Sequence, residues 1–211
     1  MKRIILHLFS IITCCFLAAC ANSMSFVPVQ VSPSVKNTPV LLAPSEIYTD
    51  FRNRIFSLHP QELGISHTEN GPNVWAVVME TSINNGYVTL VYLADGTTNL
   101  YFGNGGGILD GGRSTFVAQS TKAFIEMAEK HYQQMSVTEA FPLPADGKVK
   151  FYIFTFSGIF TSETDESKLM EGQHLLSPLF SSGQDVITRL FGSGQEVVSD
   201  LQVAEEQLKN K

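Results

Sequence analysis

A chain of 211 residues with 44% hydrophobic and 16% charged content is long enough to bury one core and too apolar for a disordered segment. Its 20 acidic residues outnumber 14 basic ones, and the formal charge of −6 argues against nucleic acid as a partner.

The N-terminus reads as an export signal. Lys2 and Arg3 are basic, Ile4 to Leu17 is an apolar run short for a membrane span, and small residues follow. Leu17, Ala18, Ala19 and Cys20 resemble the lipobox of bacterial lipoproteins, which implies removal of residues 1–19 and acylation of Cys20, palmitate among the chains. Stable anchoring needs at least two membrane signals, and lipobox-type anchors carry several acyl chains. Cys14 and Cys15 then leave with the signal and Cys20 carries lipid, so disulfides, a cysteine nucleophile and thiolate zinc sites are excluded from the folded part. Loss of Lys2 and Arg3 takes the basic count from 14 to 12 against 20 acids, a balance of −8. Ala21 after the cysteine, by resemblance to Gram-negative sorting, implies the periplasmic face of the outer membrane if the cell is Gram-negative.

Residues 20–44 form the lipidated cysteine and a tether in which Pro28, Pro33, Pro39 and Pro44 block helix formation. As a flexible coil of roughly 24 residues it would reach ~25–30 Å. Val27, Val29 and Val31 leave a second reading, an edge strand. Ser45 offers an N-cap, and Ile47, Tyr48, Phe51, Ile55 and Leu58 recur at helical spacing, predicting a helix that stops before Pro60. Gln61 to Gly64 adds a short turn.

Val74 to Ile83 predicts a strand, returned by Asn84, Asn85 and Gly86 into Tyr87 to Ala94. Strict alternation puts Trp75, Val77, Met79, Thr81 and Ile83 on one face and Val74, Ala76, Val78 and Glu80 on the other, with Glu80 reaching solvent from a strand end. Asp95 and Gly96 predict a two-residue type I′ turn into a strand over Thr97 to Phe102. A glycine-dense segment, Gly103 to Gly112, follows. Ser114 then caps a helix whose stripe is Phe116, Val117, Ser120, Phe124, Met127, Ala128 and Met135. Val149 to Phe156 is a strand with Tyr152, Phe154 and Phe156 opposite Phe151 and Ile153, and Ile159 to Thr161 returns it. Helix resumes at about Gln184 to Phe191. A last helix within 193–211 carries Val197, Leu201, Ala204 and Leu208 on one stripe, as a flap on the core or a partner-binding helix.

The order α-βββ-α-ββ-α over residues 45–192 predicts an α+β domain with one mostly antiparallel sheet of about five strands, loosely similar to profilin-like and roadblock-like domains.

For chemistry, Gly107 to Ser114 has the spacing of a phosphate-binding loop with Arg113 in place of lysine. The lysine is missing and no apolar strand ending in Asp follows to hold magnesium. The first reading is therefore a permissive strand-to-helix crossover, the second a binding loop formed by Tyr101, Asn104, Gly105, Gly106, Gly107, Asp110 and Arg113. His59, His67, His131 and His174 show no metal spacing, and Glu163, Asp165, Glu166 and Glu171 lack a calcium-loop pattern and read as a solvated face. No Gly-x-Ser-x-Gly is present, so no catalytic residue, metal or cofactor is assigned.

The run PNVWAVVMETS, followed by VTLVYLADGTTNLYFGNGGGI, resembles a family of uncharacterised bacterial proteins built on a VW strand, a TLVxLADGT hairpin and an LYFxNGGG loop. The likeness extends to FYIFTFSGIF and LSPLFSSGQDVI, over roughly Phe51 to Leu190, and implies no activity. The expectation is a membrane-anchored extracytoplasmic module that binds a protein partner through the glycine segment or the aromatic face of Tyr152, Phe154 and Phe156. A small-ligand receptor or enzyme at the glycine segment, and an immunity or inhibitor protein, are the alternatives.

Overall fold

The computed structural model describes residues 43–69, 71–83, 86–109 and 111–193. Cys20, the signal, the tether up to residue 42, Asp110 and the last helix predicted within 193–211 beyond Ser193 lie outside the described residues. Helix α1 spans Glu46–Ser57 and begins as its sequence dictates: the Ser45 hydroxyl accepts from the Tyr48 N–H at 3.1 Å, with Glu46 in the first turn and Arg54 in the last. A 3₁₀ turn over Pro60–Leu63 closes on Gly64.

The strands are β1 (Val74–Ile83), β2 (Gly86–Leu93), β3 (Thr98–Phe102), β4 (Gly107–Ile108), β5 (Ser136–Val137), β6 (Lys148–Thr155) and β7 (Gly158–Asp165). The other α-helices among the described residues are α2 (Thr115–His131), α3 (Glu166–Met170) and α4 (Ser177–Gly192). The strands form one sheet in the order β4-β3-β2-β1-β6-β7-β5, antiparallel at every junction. The α+β class with a single antiparallel sheet is thus as expected, but with seven strands rather than about five. The two additional strands, β4 and β5, are two residues each.

β1 lies at the centre and is buried on both faces, which forces a layer onto each. On one face Val77, Met79, Leu90, Leu100, Phe151 and Ile153 pack against α2 and α4 through Val117, Phe124, Ala128, Leu179, Val186 and Leu190. On the other, Val78, Val91, Tyr101, Tyr152 and Phe154 lie under Tyr48 and Ile55 of α1, with Phe56 and Phe141 packed alongside. Tyr152 and Phe154 are therefore interior residues of a second core rather than an open aromatic face, because α1 fills the space that the sequence left unassigned.

Four further expectations change for identifiable reasons. The β1–β6 register slips between Val74 and Ala76, so Trp75 is an extra residue that turns into the second core beside Ala76, and Val74 joins Val77 and Met79. The hairpin after β2 closes through Leu93 N–H to the Thr97 carbonyl, with three residues between; Gly96 donates to Leu93 and stands at φ 95, so the connection is a β-turn plus a left-handed glycine rather than a two-residue turn. Phe116 is 67% exposed, because the buried stripe of α2 runs through Val117, Thr121, Phe124 and Ala128 and Phe116 sits about a hundred degrees round the helix. β7 continues through its acidic half because Lys148 and Lys150 of β6 stand opposite Asp165 and Glu163, each pair forming an ion bridge.

α4 starts seven residues before the expected Gln184, with Gly183 in its interior. A side chain there would meet Met79 at 2.8 Å and Phe124 at 3.1 Å, so the glycine is what lets α4 lie close to the sheet and α2. Gly112 is tighter still: a Cβ would stand 1.9 Å from the Gly96 carbonyl oxygen, which is backbone and cannot swing aside. Gly112→Ala should therefore cost about 2–3 kcal/mol in urea unfolding, the range of overpacking. Gly86→Ala, whose nearest neighbour would be at 3.7 Å, should be near neutral in the same assay.

Candidate functional site

The glycine segment folds as two tight turns. Phe102 and Gly103 leave β3; Phe102 N–H donates to the Gly106 carbonyl at 2.8 Å, Gly103 N–H to the Tyr87 carbonyl at 2.8 Å, and Gly105 N–H to the Phe102 carbonyl at 2.9 Å. Gly106 N–H goes to the Asn104 side-chain oxygen at 3.0 Å. Gly105 turns the chain at φ 96, and Gly107 enters β4 opposite Tyr101. Gly111–Arg113 then forms a 3₁₀ turn packed against Leu190 and the Gly96 carbonyl before α2 begins. The amides at Gly103, Gly105 and Gly106 are consumed within the chain, and Gly105 to Ile108 are buried. Within the phosphate-loop spacing Gly107 is a strand residue of β4, and the Ser114 N–H donates to the Gly111 carbonyl at 3.2 Å.

The candidate residues separate accordingly. Tyr101 is an interior residue of the second core, 5.3 Å from the Phe51 ring, and its hydroxyl accepts from the Asn99 amide at 2.8 Å. Gly105, Gly106 and Gly107 are buried backbone, Arg113 is an exposed residue at the end of the 3₁₀ turn, and Asp110 lies outside the described residues. Asn104 lines an open cavity.

That cavity, about 460 Å³, lies where the glycine turn meets the start of α1 and the β1–β2 hairpin. Ala43, Pro44, Ile83, Val88 and Phe102 supply apolar walls, and Ser45, Tyr87 and Asn104 supply polar groups. Ser45 is fixed there twice, as the cap of α1 and through its N–H to the Gly103 carbonyl at 2.8 Å. The sequence marks Ser45, Ile83, Tyr87, Val88 and Phe102 as cap or strand residues and none of them as a site residue. Pro44-Ser45 signals only a helix start, and nothing local indicates that this start abuts residues almost sixty positions later.

A second polar cluster lies inside the α1 layer. Glu80 is fully buried, and its carboxylate takes a two-pronged contact from Arg52 of α1, Nε to Oε1 at 2.7 Å and Nη2 to Oε2 at 2.9 Å. The Thr89 hydroxyl lies 3.4 Å from the same carboxylate and 2.6 Å from the Tyr48 hydroxyl. The Arg52 guanidinium rests 4.6 Å over the Phe56 ring. Tyr152 donates to the Pro142 carbonyl at 2.6 Å, and Lys150 of the same strand bridges Glu163 at 2.5 Å. Glu80 is thus no strand-end residue in solvent. Burial pushes its carboxyl above the ordinary value, and Arg52, Thr89 and Lys150 act against that shift. Burial likewise raises the Tyr48 and Tyr152 hydroxyls, which stay neutral donors. A fully ligated carboxylate in a dry layer has no access to a substrate, so the cluster reads as a structural lock.

Among the described residues no group of three or more His, Cys, Asp or Glu could hold a metal ion, and no helix is long and apolar enough to cross a membrane. No protein-family model, curated protein or solved structure matches the chain.

Removing one partner of the lock should be costly, because it strands a buried charge. Arg52→Ala is expected to lose about 3–5 kcal/mol at pH 7. In that variant burial, opposed only by Thr89 and Lys150, sets the Glu80 carboxyl and holds its folded-state pKa above the unfolded one. Stability is then fullest below the unfolded pKa and falls as pH rises through the folded one, so the deficit against wild type should narrow as pH is lowered toward 4. The apolar pair Arg52→Met with Glu80→Leu should recover most of the loss in urea titrations.

Proposed function

We propose that this chain is a lipid-anchored, extracytoplasmic binding module of the bacterial envelope, held by Cys20 and a proline-rich tether, whose recognition site is the cavity at the glycine turn. The observation that carries this reading is the cavity itself: an open space of about 460 Å³ with mostly apolar walls and three polar side chains at hand. That volume falls within the range of small-molecule sites, and equally takes one or two anchoring side chains of a protein partner. The covered sheet face narrows the choice of site, since α1 occupies the aromatic surface that would otherwise receive a partner. Ala43 and Pro44, the residues just before the Ser45 cap of α1, lie on the cavity wall. The likeness to the VW-strand, TLVxLADGT and LYFxNGGG family belongs to the same proposal and adds no activity to it.

Ile83 lies on the cavity wall and is 40% exposed, so a larger side chain there fills the space without entering either core. Ile83→Trp should leave the unfolding midpoint within about 0.5 kcal/mol of wild type, as surface substitutions do. It should abolish both the ligand-induced thermal shift found in a metabolite screen and the capture of an envelope partner from detergent extract. A ligand or partner that binds wild type and Ile83→Trp equally places recognition elsewhere. Metabolic labelling with palmitate should mark wild type and leave Cys20→Ser unlabelled; equal incorporation rules out the anchor.

A further inference from the structure

The cavity at the glycine turn has walls without charge. Among the described residues that line it, Ile83, Val88 and Phe102 present hydrocarbon, and Ser45, Tyr87 and Asn104 are neutral. A carboxylate or an ammonium that entered would give up hydration and meet no counter-charge.

The hydrogen-bonding groups of the walls are unequally spent. Four backbone carbonyls are engaged: Ser45 accepts from the Thr49 N–H at 3.0 Å, Tyr87 from Gly103 at 2.8 Å, Phe102 from Gly105 at 2.9 Å and Gly103 from Ser45 at 2.8 Å. Two side-chain oxygens are engaged as well, Ser45 Oγ by the Tyr48 N–H at 3.1 Å and Asn104 Oδ1 by the Gly106 N–H at 3.0 Å. What Ser45 and Asn104 have left are donors, the hydroxyl hydrogen of one and the two Nδ2 hydrogens of the other. The Tyr87 hydroxyl is a third group able to donate. The walls therefore offer hydrocarbon and donors, with most of their acceptors used.

We propose that the cavity takes a neutral, donor-free carbonyl compound, an acyl ester being the simplest, with its carbonyl oxygen toward Asn104, Ser45 and Tyr87 and its hydrocarbon against Ile83, Val88 and Phe102. The inference rests on the cavity being the recognition site and names what that site selects. An ester brings acceptors and no donor, which matches what the walls leave unspent. A peptide segment is the weaker occupant, because each of its N–H groups would need an acceptor where four carbonyls are already engaged. A space of about 460 Å³ also suits a compact ligand.

The test uses probes that share one hydrocarbon chain and differ in the head group: methyl hexanoate, N-methylhexanamide, hexanoate and hexylamine, titrated at pH 7 into the chain from residue 20 carrying Cys20→Ser. Methyl hexanoate should bind about tenfold more tightly than hexanoate or hexylamine, with the amide between them. In NMR spectra the Asn104 side-chain amide protons should move downfield on titration with the ester and stay in place with hexylamine. Asn104→Asp keeps an oxygen for the Gly106 N–H and replaces the donor with a negative charge, so it should weaken the ester about tenfold and make hexylamine the preferred probe. Tyr87→Phe, which removes only a hydroxyl, should weaken the ester a few-fold. Four head groups bound alike by wild type and lost together in Ile83→Trp leave the cavity as the site and overturn the ester. Probes that bind wild type and Ile83→Trp equally remove the site and the ester together. Tighter binding of the amide than of the ester, unchanged in Asn104→Asp, assigns the cavity to a peptide segment and overturns the proposal, as does failure of every probe to bind.

Discussion

Arg52, 11% exposed, and Glu80, fully buried, meet in a layer between the first helix and the central strand. Bringing a carboxylate into such a layer is costly, and the two-pronged guanidinium contact with the nearby Thr89 hydroxyl offsets that cost. The net stability gained from such a pair is small. Its effect lies in the seatings it forbids: any shift of α1 along or around its axis leaves the Glu80 charge without a partner. The aromatic side chains around it, Tyr48, Phe51 and Phe56, would tolerate several packings on their own, since apolar contact is non-directional. The ion pair selects one.

That selection propagates to the surface. With α1 locked in place, its N-cap lands beside the glycine turn, and Ser45 N–H finds the Gly103 carbonyl. The same residue caps the helix through its hydroxyl. One wall of the cavity is therefore built from the start of a helix whose position is determined from the sheet's interior, while the opposite wall comes from Ile83 and Val88 on the hairpin and Phe102 at the end of β3. Rigid elements at these positions give a pre-formed space rather than one shaped by loop motion.

Strongly patterned segments are legible without coordinates. The strand Val74–Ile83 carries the same limits in both readings, and the Ser45 cap, the stop before Pro60 and the antiparallel hairpins follow from local chemistry. What escapes is whatever depends on a distant partner. Glu80 looks like a surface carboxylate until Arg52, 28 positions earlier, is placed over it. The acidic end of β7 looks like a solvated face until Lys148 and Lys150 are placed opposite. The start of α4 before Gln184 escapes until Met79 and Phe124 show why Gly183 is needed inside a helix. Two-residue strands such as β4 and β5 carry no periodicity at all. At the site, Asn104 could be named from turn chemistry, whereas Ser45 and Tyr87 reach the cavity only through the fold.

The density of glycine between Gly103 and Gly112 invites a phosphate-binding interpretation because open amides and missing side chains look alike in a sequence. The two requirements come apart in the structure. Gly105 needs its left-handed φ of 96, and Gly112 needs to lie against the Gly96 carbonyl; each need is for a missing side chain rather than for an open amide. Phe102, Gly103, Gly105 and Gly106 spend their N–H groups on Gly106, Tyr87, Phe102 and Asn104 respectively. Recognition at the neighbouring cavity therefore falls to side chains. Its walls are five apolar residues against three polar ones, which ranks an apolar group with one or two hydrogen-bonding atoms above an anion as the species that gains most by entering.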